Sequence, residues 1–250
     1  MRKIFLSLAL CLVALTSSAQ ISYTWHPVPM DSTWDSIKDT KATEIIAKYA
    51  PQVAPLQEII SYSDMEYTKR PPESELSNFA ADVIKITAEK YSGEPVDIAL
   101  TNFGGIRTSL PKGAVRVYDI YSIFPFDNYV LWFDIKGSDL RKFLNKMIGR
   151  NRIEALSGVE IVVRNHKPEK MNVAGAPLDD QKTYRMATIN FLMDGGDGIN
   201  LQNAAMNIGK TDAFIRDAIV DYLREQMAAG KTLQLKKDGR VQIYNEKEDK

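Results

Sequence analysis

Histidine and cysteine are scarce in this sequence, which has 2 histidines and 1 cysteine among its 250 residues. Hydrolytic sites that hold two metal ions draw on several histidine and aspartate ligands together. His26 and His166 lie far apart, and neither belongs to an HExxH, DxH or Asn-His-Glu cluster. We therefore expect no dimetal site in this chain and regard both histidines as ordinary surface or packed residues.

The sequence also lacks an excess of charge and the common motifs of covalent catalysis. Lys and Arg together number 32, as do Asp and Glu, so no field of one sign exists to hold a nucleic acid polymer. There is no GxSxG elbow, no GxxxxGK[ST] loop and no CxxC pair. An anionic ligand must instead be bound by a few placed arginines.

A transmembrane span needs about 20 apolar residues, whereas the N-terminal apolar run covers only Ile4–Leu15. The run follows Met1-Arg2-Lys3 and precedes small and polar residues that end at Ala19. This order is typical of a secretory signal peptide and is too short for the alternative, a membrane anchor. The single cysteine lies inside this leader. We expect a secreted protein, located in the periplasm, with no membrane span.

The rest of the chain has the composition of a globular domain, with 44% hydrophobic residues overall. Helices and strands alternate irregularly, which predicts an α+β fold: one domain in which helices pack on a mixed β-sheet. We predict a signal peptide at 1–19, an N-terminal arm and helix at 20–72, the domain at 73–244 and a charged tail at 245–250.

The periodicity of the apolar residues predicts the individual elements. Ser74 is expected to cap a helix that Gly93 closes, and Val96–Leu100 is expected to be a buried strand. The other predicted elements are a helix at 35–50 stopped or kinked by Pro51 and Pro55, β or mixed structure at 115–124, strands at 129–135, 158–163, 184–190 and 241–244, and helices at 137–149 and 211–228.

Two glycine-rich turns, each placed after a predicted strand, are the best candidates for a binding site. The first contains Asn102, Gly104 and Gly105 and is followed by Arg107. Adjacent glycines let the main chain approach a ligand closely or adopt a positive φ, and the planar fork of an arginine holds phosphate oxygens with two parallel hydrogen bonds. The same residues also fit a tight turn with a surface arginine, and the spacing does not decide between the two interpretations.

The second turn, from Asp194 to Gly198, bears two carboxylates and follows Phe191. A carboxylate there can accept hydrogen bonds from the vicinal hydroxyls of a sugar, and the phenyl ring can stack on a base. The alternative is an acidic hairpin or a calcium site that lacks the rest of the EF-hand spacing. Phe126 is a second aromatic residue beside a turn, a position that the pattern alone would more often place in a core.

Five segments of the sequence carry a resemblance to a known family. They are ESELSNFAADV at 73–83, TNFGGIR at 101–107, FPFDN at 124–128, FDIKGSDLRKFL at 133–144 and YRMATINFLMDGGDG at 184–198. In this order they resemble the C-terminal domain of the 5'-nucleotidase family, whose members hydrolyse nucleotides and related phosphate esters outside the cytoplasm. The similarity runs from about Pro72 to Gly198, and more loosely to Val241.

The resemblance implies a role in substrate recognition. In that family the C-terminal domain binds the substrate, and an N-terminal calcineurin-like metallophosphatase domain carries two metals and the chemistry. By this resemblance Phe126 and Phe191 clamp the nucleobase between their rings, and Asp197 accepts hydrogen bonds from the ribose hydroxyls.

The resemblance also implies a phosphate side of the site. Asn102 and Arg107, with the backbone of Gly104 and Gly105, would approach the nucleotide there. Family members add one or two arginines shortly before the opening helix. A proline occupies one such position here, and Arg70 is the arginine nearby that the resemblance assigns to this role.

Only about 50 residues lie between the predicted leader and the region of similarity. We therefore expect this chain to lack the metallophosphatase half, to contain no catalytic residue and to hold no cofactor, the divalent metals belonging to a partner chain. The leading hypothesis is a subunit that recognises nucleotides or nucleosides and acts with a separately encoded metallophosphatase. Alone, with manganese, cobalt or zinc added, it should not hydrolyse phosphate esters.

Two alternatives stay open from the sequence. One is a non-catalytic periplasmic protein that binds nucleosides or nucleotides for scavenging or sensing. The other is a scaffold in which the two aromatic residues no longer bind a ligand.

Overall fold

The computed structural model describes residues 22–29, 31–32 and 40–245. The predicted signal peptide and residues 246–250 of the predicted tail lie outside these ranges. The described residues fall into two compact units, one ending at Tyr49 and the other beginning at Ala50. Residues 22–29 have no regular secondary structure. None of the helices in the described ranges combines the length and the apolar character needed to cross a bilayer.

Six α-helices and eleven strands make up the described chain. The helices are α1 (Thr40–Val53), α2 (Glu75–Ser92), α3 (Val117–Ile123), α4 (Gly137–Gly149), α5 (Asn190–Met193) and α6 (Ile215–Ala228). The strands are β1 (Ile59–Ser63), β2 (Ile98–Thr101), β3 (Gly113–Arg116), β4 (Tyr129–Lys136), β5 (Ala155–Ser157), β6 (Val159–Arg164), β7 (Lys167–Val173), β8 (Ala176–Pro177), β9 (Thr183–Ile189), β10 (Met206–Phe214) and β11 (Val241–Tyr244).

The central sheet has five strands in the order β10-β4-β9-β2-β5. Only β2 and β9 run parallel, and the other neighbours in this sheet are antiparallel. A second sheet has the order β11-β6-β7-β8, and β1 pairs with β3 in a third, two-stranded sheet. Mixed sheets with helices packed on them confirm the predicted α+β class. The second compact unit, which begins at Ala50, includes β1 and its partner β3.

Helix α2 forms where the capping pattern predicts it. The Ser74 side chain accepts a hydrogen bond from the backbone N–H of Ser77, whose hydroxyl accepts one from the Ser74 N–H, and Gly93 ends the helix at φ 71°. The apolar residues of its buried face, Leu76, Phe79, Ala80, Val83 and Ile84, belong to the hydrophobic core, and the helix packs on strands of the central sheet. The helix thereby covers one face of the sheet that carries the site.

The structure defines one mixed segment and moves one helix start. The segment at 115–124, predicted as β or mixed structure, contains a strand that ends at Arg116 and then a helix, whose first turn is stabilised by a hydrogen bond from the Arg116 N–H to Asp119 (2.7 Å). Helix α6 begins at Ile215 rather than Thr211. The Thr211 hydroxyl donates to the Val130 carbonyl (2.9 Å), which keeps this residue in β10 beside β4.

A partly buried cluster of charges fastens β11 to the rest of the fold. Arg240, whose side chain is 11% exposed, makes two bonds to the Asp82 carboxylate, at 2.7 and 3.1 Å. It also donates to Asp238 (2.7 Å) and to the carbonyl of Leu156 (3.0 Å). These bonds lower the pKa of Asp238 below its ordinary value, the hydrogen bond from Arg240 being the largest cause. The cluster joins residues from α2, β5 and the segment before β11.

Replacing Arg240 with alanine should lower the free energy of unfolding by about 2–3 kcal/mol, because charged hydrogen bonds are lost and two carboxylates keep no cation. Chemical denaturation monitored by circular dichroism measures this change. The matched control is Lys170→Ala, which breaks an exposed ion pair with Glu160 and should cost less than about 1 kcal/mol. Equal stability of the Arg240 variant and the unmodified protein would show that the cluster is not stabilising.

Candidate functional site

The topology of the central sheet brings five chain segments to one edge. Strands β2 and β9 are parallel, so both end at this edge. Strands β4 and β5 are antiparallel to them, and the pairs Val130–Ile189 and Thr101–Ala155 place their starts there as well. Strand β10 is antiparallel to β4, so its end joins the same edge. Residues that follow β2 and β9, or precede β4 and β5, therefore meet although they are distant in sequence.

A cleft with a volume of about 250 Å³ lies at this edge. It is lined by Asn102, Gly104, Gly105, Arg107, Phe126, Asn128, Phe191 and Asp197. Apart from Asn128, all of these lining residues were site candidates from the sequence. Arg70, the remaining candidate, is exposed, precedes the cis Pro71–Pro72 bond and does not line the cleft. Its part in phosphate binding stays a prediction.

Two half-exposed phenyl rings border the cleft. Phe126 is 46% exposed and Phe191 is 41% exposed. The sequence pattern alone favoured a core position for Phe126, and the structure places it at the surface instead. The Tyr129 N–H donates to Asn190 Oδ1 (2.9 Å), so the turn that carries Phe126 is tied to the one that carries Phe191. Exposed apolar rings facing one opening form a surface suited to a flat aromatic ligand.

The guanidinium of Arg107 lies beside one of these rings. Its Cζ is 5.8 Å from the centroid of the Phe126 ring, a cation–π distance, and its Nη1 donates to the Gly104 carbonyl (3.1 Å). Within the described ranges, no carboxylate forms an ion pair with Arg107. The remaining N–H groups of this side chain can therefore bind an anionic group of a ligand.

Asp197 reaches the cleft from a turn with unusual backbone conformation. Its own φ is 54°, and the flanking Gly195 and Gly198 have φ of 96° and 69°. Its Oδ2 accepts a hydrogen bond from Asn102 Nδ2 (2.6 Å) and lies 3.3 Å from Arg152 Nη2. Among the described residues no donor is bonded to Oδ1, so this oxygen can accept hydrogen bonds from a ligand.

Gly104 and Gly105 are required for space rather than for a positive φ. Both lie in a short 3-10 turn, Phe103–Gly105, and neither has a positive φ. A Cβ on Gly105 would lie 2.8 Å from Asn102 Oδ1, and one on Gly104 would lie 3.1 Å from Asn102 Nδ2. The two glycines thus leave room for the Asn102 side chain to lie against the turn and reach Asp197.

Sequence reasoning missed the residues that support this cleft from behind. Arg216 forms an ion pair with Asp127, with Nη2 2.5 Å from Oδ1, and its Cζ lies 4.9 and 5.1 Å from the ring centroids of Tyr121 and Phe214. Arg152 and Glu154 precede β5. None of them stands near a glycine-rich turn in sequence. The pairing of β5 and β10 with the sheet brings them to the site, and no local pattern reports this pairing.

No group of three or more His, Cys, Asp or Glu side chains that could hold a metal occurs in the part of the chain that the structure describes. The metals that the resemblance assigns to a metallophosphatase domain therefore find no ligand set among these residues.

Comparison with known proteins decides the family. A family model described as "5'-nucleotidase, C-terminal domain" matches residues 52–204. The chain belongs to this family. This membership confirms the resemblance, and the match begins near the start of the second compact unit rather than at residue 73.

Relatives and solved structures agree with this membership. Protein UshA of Yersinia enterocolitica is 34% identical over 126 residues, which are 48% of this chain and 23% of that protein. An apyrase of Tabanus yao is 26% identical and covers 89% of this chain and 44% of its own length. The crystal structure of a 5'-nucleotidase precursor from Thermus thermophilus has a TM-score of 0.71 and 27% identity over 84% of this chain and 44% of its own. The chain thus spans less than half the length of these relatives.

Proposed function

We propose that this chain recognises nucleotides or nucleosides in the cleft at the edge of the central sheet, as the substrate-binding part of a nucleotide-hydrolysing system. One observation carries the proposal: Phe126 and Phe191 come from distant segments and border one opening, with a carboxylate and a guanidinium at its rim. Each component of a nucleotide has a matching group there. A base fits two phenyl faces, a ribose fits a carboxylate, and a phosphate fits an arginine.

The roles of the residues follow from their chemistry. The base would stack between the two rings, which accept any base because each base has a π-face. The vicinal hydroxyls of the ribose would donate to Oδ1 of Asp197. The phosphate would meet the free N–H groups of Arg107, which the Phe126 ring and the Gly104 carbonyl already orient. The site would thereby fix the orientation of the ester bond, which is a positioning contribution to catalysis.

The hydrolytic chemistry itself belongs, in this proposal, to a metallophosphatase on a separate chain, which supplies the metals and the attacking water. The relatives extend over more than twice the length that they share with this chain, so the shared region is one part of each of them. The N-terminal sequence supports secretion to the periplasm, where such a partner would be met. A nucleoside-binding protein for scavenging or sensing, with no hydrolase partner, is the competing proposal.

Isothermal titration calorimetry with adenosine, AMP and inorganic phosphate tests the proposal. AMP should bind more tightly than adenosine because of the contact between its phosphate and Arg107. In Arg107→Ala the affinity for AMP should fall about 10-fold or more, towards that for adenosine, as expected for one charged hydrogen-bonding group. The matched control is Lys112→Ala, which removes an exposed cation that does not line the cleft and should leave both affinities unchanged.

Each outcome of the calorimetry separates the proposals. Tight binding of adenosine with no gain from the phosphate would favour the nucleoside-binding protein. Absence of heat with every ligand, in a protein shown to be folded by circular dichroism, would refute nucleotide recognition altogether.

A further inference from the structure

A row of charged side chains, each in contact with the next, extends from Asp197 away from the cleft. Arg152 Nη2 lies 3.3 Å from Asp197 Oδ2, and Arg152 Nε lies 2.7 Å from Glu154 Oε1. The second oxygen of Glu154 accepts a hydrogen bond from the Phe103 N–H (2.8 Å). Glu154 is therefore bonded both to the turn that bears Asn102 and to the cation that faces Asp197.

Glu154 is the buried member of this row of charged side chains. Its side chain is only 3% exposed, and it directly precedes β5, which pairs with β2 in the central sheet. A carboxylate buried to this extent needs a cation and hydrogen-bond donors. Arg152 and the Phe103 N–H meet this need. The charge of Glu154, and less strongly that of Asp197, raises the pKa of the Arg152 guanidinium above its ordinary value although burial opposes this.

Hydrogen bonds hold the backbone of the turn that bears Asp197, including one from the Ile199 N–H to the Gly196 carbonyl (3.0 Å), whereas the described contacts of the Asp197 carboxylate are with side chains. The residue has a φ of 54° and lies between two glycines with positive φ, and glycines allow a wide range of backbone conformations. Asn102 donates to this carboxylate through Nδ2 (2.6 Å), while its own buried Oδ1 has no hydrogen-bond partner in the described structure. Arg152, which is paired with Glu154, places a positive charge 3.3 Å from the same oxygen, Oδ2. Both described contacts of the carboxylate are therefore made by Oδ2, and Oδ1 has no described hydrogen-bond donor.

We propose that Arg152 and Glu154 are positioning residues that hold the Asp197 carboxylate for the ribose hydroxyls. This inference rests on the proposed function and adds to it the two residues on which the preference for a 2',3'-diol depends. Neither residue need touch the nucleotide. Their contribution is to fix the acceptor before the ligand arrives, which reduces the ordering that binding must otherwise achieve.

Paired titrations with adenosine and 2',3'-dideoxyadenosine test the inference, because the second ligand keeps the base and lacks both hydroxyls. The unmodified protein should bind adenosine about 10-fold or more tightly than 2',3'-dideoxyadenosine, because hydrogen bonds from the two hydroxyls to a charged carboxylate would contribute this much. In Arg152→Met the affinity for adenosine should fall about 10-fold, while that for the dideoxy ligand changes less than about 2-fold. Glu154→Gln should act in the same direction, and Arg152→Lys should restore part of the preference.

Further variants separate positioning from a general structural role. Arg152→Met combined with Asp197→Asn should lose no more affinity for adenosine than Asp197→Asn alone, because both changes remove one interaction. The control Lys146→Met removes an exposed cation of α4 that forms no ion pair among the described residues. It should leave the preference for adenosine over the dideoxy ligand unchanged. Arg152→Met leaves the buried Glu154 carboxylate without its cation, so circular dichroism must first show that this variant is folded. If it is not, Arg152→Lys, which keeps a cation beside Glu154, decides by its smaller loss of preference.

A parallel fall in affinity for both ligands in Arg152→Met, or an unchanged preference for adenosine, would overturn the inference while leaving the proposed function standing. If the unmodified protein binds neither adenosine nor AMP, the proposed function fails and this inference fails with it.

Discussion

Alanine in place of Phe191 should weaken the binding of adenosine about 5- to 150-fold, and alanine in place of Phe126 should do the same. The loss corresponds to the roughly 1–3 kcal/mol that stacking on an aromatic side chain contributes per base. Both rings are more than two-fifths exposed at 46% and 41%, so their removal should cost little folding free energy. Calorimetry gives the affinities, and thermal unfolding gives the stability.

The matched control for these variants is Tyr62→Ala. Tyr62 is an aromatic residue of β1, is 48% exposed and does not line the cleft. Its replacement should leave adenosine binding unchanged. If both phenylalanine variants bind adenosine as the unmodified protein does, the rings do not clamp a base, and the domain acts as a scaffold or uses another surface.

Alanine in place of Gly196 should abolish measurable adenosine binding at ligand concentrations that saturate the unmodified protein. A Cβ on Gly196 would lie 2.5 Å from Cε1 and Cζ of the Phe191 ring and 2.5 Å from the Phe191 carbonyl oxygen. These distances are far below van der Waals contact, so both the ring and the α5 backbone must move. Asp197, the next residue, must move with them. The substitution therefore disturbs stacking and hydroxyl recognition together, and overpacking should cost about 1–3 kcal/mol of stability.

Gly149→Ala is the control for the added methyl group. Its Cβ would meet no atom within 4 Å, and the residue ends helix α4 without a positive φ. Binding should be unchanged in this variant. A Gly196→Ala protein that binds adenosine with unaltered affinity would mean that the position of the Phe191 ring does not matter to the site.

Sequence patterns with local physical causes predicted the fold well. The Ser74 cap, the apolar face of α2 and the short buried strand β2 each depend on residues close together in the chain, and each is confirmed. Strand β10 was missed in part because its residues are mostly exposed and give no clear alternation, and because Phe214 fits the helical spacing of α6. The bond from Thr211 to β4, which decides the boundary, joins residues 81 positions apart.

The residues of the candidate site likewise fall into those that the sequence could predict and those that it could not. Glycines, an arginine and phenylalanines beside turns are visible in the sequence, and the structure gathers Asn102, Arg107 and the two rings at one cleft. The residues behind them carry no such signal. Glu154 is an ordinary acidic residue until the pairing of β5 with β2 buries it beside the Phe103 N–H.

A crystal structure of the protein with bound AMP would show whether the cleft holds a nucleotide in the proposed orientation. We expect the adenine between the rings of Phe126 and Phe191, a ribose hydroxyl within about 3 Å of an Asp197 oxygen, and the phosphate next to Arg107. AMP bound elsewhere on the surface, with both rings free of contact, would contradict it.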